Sequence, residues 1–297
     1  MLWSLFTLIA AFSQALRNAQ QKRLSGEIDA LGVTLARFLW APPLAFGYLG
    51  LLYALDPAPL PGFSLGFILP ASAGALAQII ATLLMVRLFQ RRSYTAGVGL
   101  AKSEALFAAL LGVAFFAAQL GVVGWLGVAF GAVAVWLLKG RSAPGELDLT
   151  TLALGLGSGV CFALTTLLVR QATLTLDAPF MQAAAWALVW NVCLQVVVLM
   201  AWLAIRSPST IGKLLARPRA VFGVSLSSSL ASLCWFSALT LQDAALVKTL
   251  GQVEVLFTLL LSRHWLRERV GGRERLGLLL VALGALLVLW PSLAAHI

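Results

Sequence analysis

Apolar residues in this chain come in long uninterrupted runs, without the alternation of a half-buried strand or the narrow stripe of a surface helix. Crossing a hydrocarbon core of roughly 30 Å takes about 20 helical residues. On that measure ten runs emerge, at residues 2–20, 31–53, 65–88, 94–115, 121–138, 150–171, 179–205, 219–240, 244–262 and 275–291. Turn-forming residues separate them: Asp56-Pro57 to Pro61-Gly62, Ser142 to Gly145, and Ser207-Pro208 to Pro218. Pro42-Pro43 falls inside the second run, where it predicts a kink and a freed backbone carbonyl.

The polar and aromatic interruptions of these runs recur at a constant offset of 150 residues. Trp40 matches Trp190, Glu104 matches Glu254, Phe107 matches Phe257, Gly127 matches Gly277, and Phe12 matches Phe162. Tryptophans and glutamates are rare in apolar runs, so their shared spacing points to two equivalent halves. Charge then sets orientation. The loops after odd-numbered runs carry Lys22, Arg23, Arg91, Arg92, Lys139, Arg141, Arg206, Lys213, Arg217, Arg219, Arg263, Arg267, Arg269, Arg273 and Arg275, whereas the even-numbered loops carry Arg170 alone. Basic loops face the cytoplasm, so both termini are expected on the external side. A five-helix unit repeated with its odd number of spans must be inverted. The expected fold is all-α and integral to the membrane, with ten transmembrane helices in two inverted-topology five-helix repeats, residues 1–143 and 144–297.

Composition agrees with lipid as the main solvent. Of the 297 residues, 61% are hydrophobic and 11% charged, and mean hydropathy is +0.94, outside the range of soluble domains. The net charge of +10 resides in short loops and not in one patch, so nucleic acid is not expected as a partner. The expected partners are a small-molecule substrate and the lipid bilayer, with the chain a monomer or homodimer. No basic segment precedes the first apolar run, which is read as a retained helix and not as a cleaved signal. Cys161, Cys193 and Cys234 lie within apolar runs at no metal-ligand spacing and are read as small packing residues.

Arg37-Phe38 early in the second run, the small residues after Tyr94-Thr95-Ala96, and Leu266-Arg267-Glu268-Arg269 leading into Leu276-Gly277 and Gly284 resemble the drug/metabolite transporter superfamily, in particular its EamA-type ten-helix members. Two features depart from that pattern: Ala118-Gln119 stands where the second half has Glu268-Arg269, and the proline common in the fourth helix is absent. The resemblance implies a carrier of the cell inner membrane that exports a small metabolite by alternating access. An excess of helical cations favours an amino acid or an organic anion as that metabolite. A lipid-linked substrate flippase is the alternative within transport. An intramembrane enzyme is the alternative from another class, but it needs a nucleophile with a base or clustered metal ligands, and the two histidines, His264 and His296, both fall near membrane surfaces. No catalytic residue, metal or cofactor is expected.

Ionisable groups in hydrocarbon cost several kcal/mol and mark function by default. Glu104 and Glu254 each lie about ten residues into their runs, roughly 15 Å deep at about 1.5 Å per residue. Desolvation at that depth favours the neutral acid and a nearby cation the carboxylate, so both are proton-coupling candidates. Glu254 is favoured because its nearest lysine in sequence is Lys248, six positions away. Lys102 and Glu104 point about 200° apart on a helix and cannot pair within it. Lys102, Lys248 and Gln252 are expected to form one polar face that binds substrate, with the two glutamates on another. Trp40, Trp190 and Trp235 are deep enough to line a cavity. Arg17, Arg37 and Arg87, near the cytoplasmic ends of their helices, are expected to snorkel. Gln14, Gln78, Asn191 and Gln195 are read as bonding helix to helix in preference to the alternative of binding substrate, and Gly127-x-x-x-Gly131 as permitting close packing or dimerisation.

A reporter fused after Ile297 is therefore expected to be active on the external side, and a cysteine placed within residues 207–217 to react only from the cytoplasm. Cytoplasmic activity of the C-terminal reporter would reverse the orientation.

Overall fold

The computed structural model describes residues 2–104, 106–107, 110, 122–138, 149–242, 247 and 250–294. Among them every regular element is helical. The elements are α1 (Leu2–Leu24), α2 (Ala30–Phe38), α3 (Ala41–Leu55), α4 (Leu65–Arg91), α5 (Tyr94–Ala101), α6 (Val122–Leu138), α7 (Leu149–Leu174), α8 (Phe180–Arg206), α9 (Pro208–Leu215), α10 (Pro218–Leu241), a 3-10 turn (Gly251–Val253), α11 (Glu254–His264) and α12 (Gly272–Ala294). Five described segments are long and apolar enough to cross a membrane: Ala30–Leu55, Leu65–Arg91, Leu149–Leu174, Phe180–Arg206 and Pro218–Leu241. The boundary at 143/144 lies outside the described residues.

The kink at the proline pair is present, one step earlier than the prolines themselves. Pro42 and Pro43 occupy the first turn of α3, where no backbone donor is needed, and the helix breaks at Leu39-Trp40. Ser225 of α10 repairs the break. Its hydroxyl accepts from the Trp40 N–H (3.1 Å) and donates to the Ala36 carbonyl (2.7 Å), standing in for the missing helical bond. A second departure is α9, an amphipathic turn in the expected loop after α8. Its buried Thr210 donates to Asp29 at 2.5 Å while Asp29 caps α2 through the Gly32 N–H.

The core is built from small residues and the periphery from large ones. Along α1, Ala10, Ala11, Ala15 and Ala19 are fully buried among the neighbouring helices, while Leu5, Leu8 and Phe12 are exposed. Lipid tails are as apolar as leucine, so burying leucine gains little in a bilayer, and close backbone approach decides the packing. The same principle operates between α6 and α12. A Cβ on Gly284 would stand 2.8 Å from the Gly127 carbonyl oxygen and 3.0 Å from the Gly131 nitrogen. Gly127-x-x-x-Gly131 therefore packs within the molecule. The other principal pairs are α4 with α7 and α3 with α8.

The two ends of the bundle differ in chemistry. At one end the Lys22 ammonium donates to the Phe89 and Arg92 carbonyls (2.5 and 2.7 Å), Arg217 pairs with Glu27, and Glu268 accepts from the Tyr94 N–H at 2.8 Å. Glu274 accepts from Ser93 (2.6 Å) and Thr95 (3.0 Å), so two carboxylates sit on the N-terminus of α5 where its dipole favours them. Arg267 takes a left-handed backbone, φ 54°, which turns the chain between α11 and α12. At the other end Arg170 donates to the Leu239 and Gln242 carbonyls (2.6 and 2.8 Å) at the C-terminus of α10. Gln182 there donates to the Asp56 carbonyl.

Gly284→Val is expected to lower stability by about 1–3 kcal/mol through overpacking, seen as a reduced Tm in detergent. Gly271→Val, whose Cβ would meet nothing within 4 Å, is the matched control and should leave Tm within a degree or two.

Candidate functional site

Two polar helix interruptions face each other inside the bundle. The first follows α5, where Lys102 and Ser103 form a turn and helical backbone resumes at Glu104. The second is the 3-10 turn Gly251–Val253, from which α11 starts at Glu254. Both fall at the same place on the 150-residue offset. Broken helices at membrane depth leave backbone groups free, which is tolerated only inside protein or beside a cavity.

The Lys102 ammonium spans the gap. It stands 2.7 Å from Glu254 Oε2 and 3.5 Å from the Gly251 carbonyl oxygen. The Glu254 carboxylate is fully buried and accepts two more bonds from α1, from Gln14 Nε2 at 2.7 Å and Asn18 Nδ2 at 3.3 Å. Gln14 in turn accepts from the Trp235 indole at 2.9 Å, and Asn18 accepts two bonds from Arg17. The network thus runs from α10 through α1 to both interruptions. Each interior charge is set against polar partners, as buried charge requires.

Beside this network lies a cavity with about 60 Å³ open to the centre of a water-sized sphere. At roughly 10–15 Å³ per water on that measure, the space suits a few waters or a compact solute. Its wall includes Arg17, Arg37, Lys102, Glu104 and Glu254, together with Phe162, Trp235 and Phe236. Glu104 accepts from Thr166 of α7 at 2.8 Å. Among the described residues no group of His, Cys, Asp and Glu could hold a metal ion.

The geometry corrects several expectations. Lys102 and Glu254, assigned to different faces, form one ion pair, because they meet across the halves and not along one helix. Gln252 is buried in the 3-10 turn and is not part of the cavity wall. Trp190 donates to Ser72 at 2.9 Å and packs against Phe63 and, edge to face, Phe67, a packing role away from the cavity. Trp40 is 42% exposed beside Phe222. The break at Leu39-Trp40 turns it outward, away from the cavity it was expected to line. Lys248 lies outside the described residues. Gln195 bonds to Gln78 at 2.7 Å, helix to helix as expected, although Gln78 also reaches the cavity wall.

Arg17 and Arg37 were missed. Expected to snorkel, both are only 2% exposed and line the cavity. A signal for Arg17 was available: Gln14, Arg17, Asn18 and Gln21 fall at intervals of three and four and make one polar stripe along an otherwise apolar helix.

These features define a multi-pass membrane protein whose helices enclose a charged cavity. Residues 149–290 match the family model of the EamA-like transporter family, so the second half of the chain is an EamA-like transporter domain of the drug/metabolite transporter class. That class moves small molecules across membranes. Eighteen chains of known structure are similar in fold. One, described only as a crystal structure of a protein, aligns over 99% of this chain and 98% of its own, with a TM-score of 0.62 and 15% identity. No curated protein sequence matches the chain.

Breaking a buried ion pair from one side leaves a charge uncompensated, at a cost of about 3–5 kcal/mol. Lys102→Met and Glu254→Gln are each expected to destabilise by that order, and the double variant by clearly less than their sum. Thermal unfolding of the four proteins in detergent checks this, and additive effects would dissolve the pair as a structural unit.

Proposed function

We propose that the protein is a ten-helix carrier of the bacterial-type cytoplasmic (inner) membrane, both termini external, that exports a small metabolite by alternating access. The metabolite is an amino acid or an organic anion. The observation that carries this reading is the charged cavity held between helix breaks at equivalent positions of the two halves, the usual place for a substrate site in an inverted-repeat transporter.

The packing supports the repeat. On the 150-residue offset α1 corresponds to α7 and α4 to α10, so the contact of α1 with α10 and that of α7 with α4 exchange under the symmetry. The contact of α6 with α12 maps onto itself, as a two-fold relation demands. The clustering of basic helix ends at one end of the bundle supports the orientation.

Proton coupling is assigned here to Glu104. Protonating Glu254 would strip the Lys102 ammonium of its counter-ion, whereas Glu104 lines the cavity beside a hydroxyl that can serve either form of the acid. Purified protein in liposomes is expected to accumulate its substrate in response to a pH gradient. Glu104→Gln is expected to abolish that response while leaving equilibrium exchange intact. Undiminished pH-driven transport by the variant would remove Glu104 from the mechanism.

A further inference from the structure

We propose that Arg37 is the substrate's anchor, and that what it holds is a single carboxylate: the transported solute is a compact monocarboxylate whose apolar remainder rests on the aromatic wall. The inference rests on the transport reading above and narrows its substrate class.

Arg37 is the penultimate residue of α2, two residues before the break at Leu39-Trp40, and its side chain is buried in the cavity wall. Its partners are all neutral. Nε donates to Ser228 at 3.1 Å and Nη1 donates to Thr82. The guanidinium lies 5.0 Å from the Phe38 ring and 6.0 Å from the Phe162 ring. A guanidinium has five N–H donors in a fixed fork, so two hydroxyls leave most of them free, and no carboxylate among the described residues pairs with it. The ionisable neighbour that acts on it is Arg17, of the same sign.

The other cavity cations are differently placed. Lys102 is paired with Glu254 at 2.7 Å. Arg17 is bonded to Asn18 and lies in the field of both Glu254 and Glu104. With Glu104 ionised, the described wall residues carry three cations (Arg17, Arg37, Lys102) against two anions (Glu104, Glu254), a surplus of one positive charge. A buried ion costs several kcal/mol unless something pairs with it, and the surplus sits at Arg37. One negative charge on the solute closes the balance.

The chemistry selects among anions. The planar fork of arginine matches the two oxygens of a carboxylate. A phosphate monoester carries close to two charges near neutral pH and would overshoot. A zwitterionic amino acid brings no net charge and would leave the surplus in place. Phe162, Trp235 and Phe236 offer the remainder of the molecule an apolar surface.

The test uses the full-length protein in detergent and in liposomes, with butyrate and benzoate as probes against butyramide, benzamide, the zwitterion 2-aminobutyrate and inorganic phosphate. Binding is read from thermal shift and from quenching of tryptophan fluorescence. The acids are expected to bind at least tenfold more tightly than the amides, the zwitterion or phosphate. Arg37→Gln is expected to cost on the order of 10- to 100-fold in affinity for the acids, the range for a charge-assisted hydrogen-bonded contact. Arg37→Lys, which keeps the charge but not the fork, is expected to fall between, and it serves should the glutamine variant fail to fold. Arg273→Ala, a charge change at the bundle end, should bind as the parent does. Equal binding of acid and amide, preference for the zwitterion or phosphate, or unaltered acid affinity in both Arg37 variants would overturn the proposal. Counterflow of labelled benzoate separates the two readings. Binding without counterflow defeats transport and leaves the anion site standing, whereas counterflow that ignores Arg37 defeats the anion site and leaves transport standing.

Discussion

The structure depends on the ion pair between Lys102 and Glu254. A lone ammonium or carboxylate at this depth would carry the full cost of leaving water, and a folded bundle that separated them would carry it twice. Their meeting ties the turn after α5 to the first residue of α11, segments far apart in sequence. It also accounts for the broken helices. In a continuous helix after α5, the Lys102 side chain would lie along its own helix surface. The turn at Lys102-Ser103 and the 3-10 turn at Gly251–Val253 instead bring the ammonium to the first residue of α11 and to the Gly251 carbonyl. The amides of Gln14 and Asn18 then satisfy the remaining capacity of the carboxylate, which explains why an apolar first helix carries so polar a face.

Packing around that pair follows the logic of lipid and not of water. The buried surface of α1 is alanine and polar side chains, and its exposed surface includes leucine and phenylalanine, the reverse of a soluble amphipathic helix. Small residues let the backbones approach, and approach is what brings Ser225 near enough to mend the break at Leu39-Trp40. The same hydroxyl chemistry on α10 supplies Ser228 to Arg37. One serine-rich helix face therefore stabilises the kink and orients the Arg37 guanidinium in the last turn before it.

Much of this was legible from the chain alone. Long apolar runs and turn clusters are one-dimensional signals, and they identify the five long apolar helical segments among the described residues and the proline kink because each depends on neighbours in sequence. The EamA-type resemblance rested on such signals too. What the sequence concealed depends on direction across the bundle. Trp40 and Arg37 are three residues apart at similar depth, yet the break between them sends one outward and the other inward. Lys102 and Glu254 were read within their own helices, where each has its nearest charge at the wrong angle, and only the fold brings them across. Gln252 shares a repeat position with Lys102 but not its surroundings, since an offset equates places in two halves without equating the side chains' tasks.

The alternating access proposed above would constrain which of these contacts can change. In a rocking of the two halves, pulling Lys102 from Glu254 would expose two charges to hydrocarbon, whereas parting Lys22 from Glu268 would release groups that are already 22% exposed each and 3.8 Å apart. A partly exposed pair at that separation is weaker than the fully buried one, and water reaches it more readily. The bonds from Glu268 and Glu274 to the start of α5 are of the same replaceable sort, being made at the basic end of the bundle within reach of solvent. The cost of motion is therefore lowest at that end and highest at the buried pair. The pair is the natural pivot and the Lys22–Glu268–Glu274 cluster the natural closure, and Arg37 faces the cavity between them.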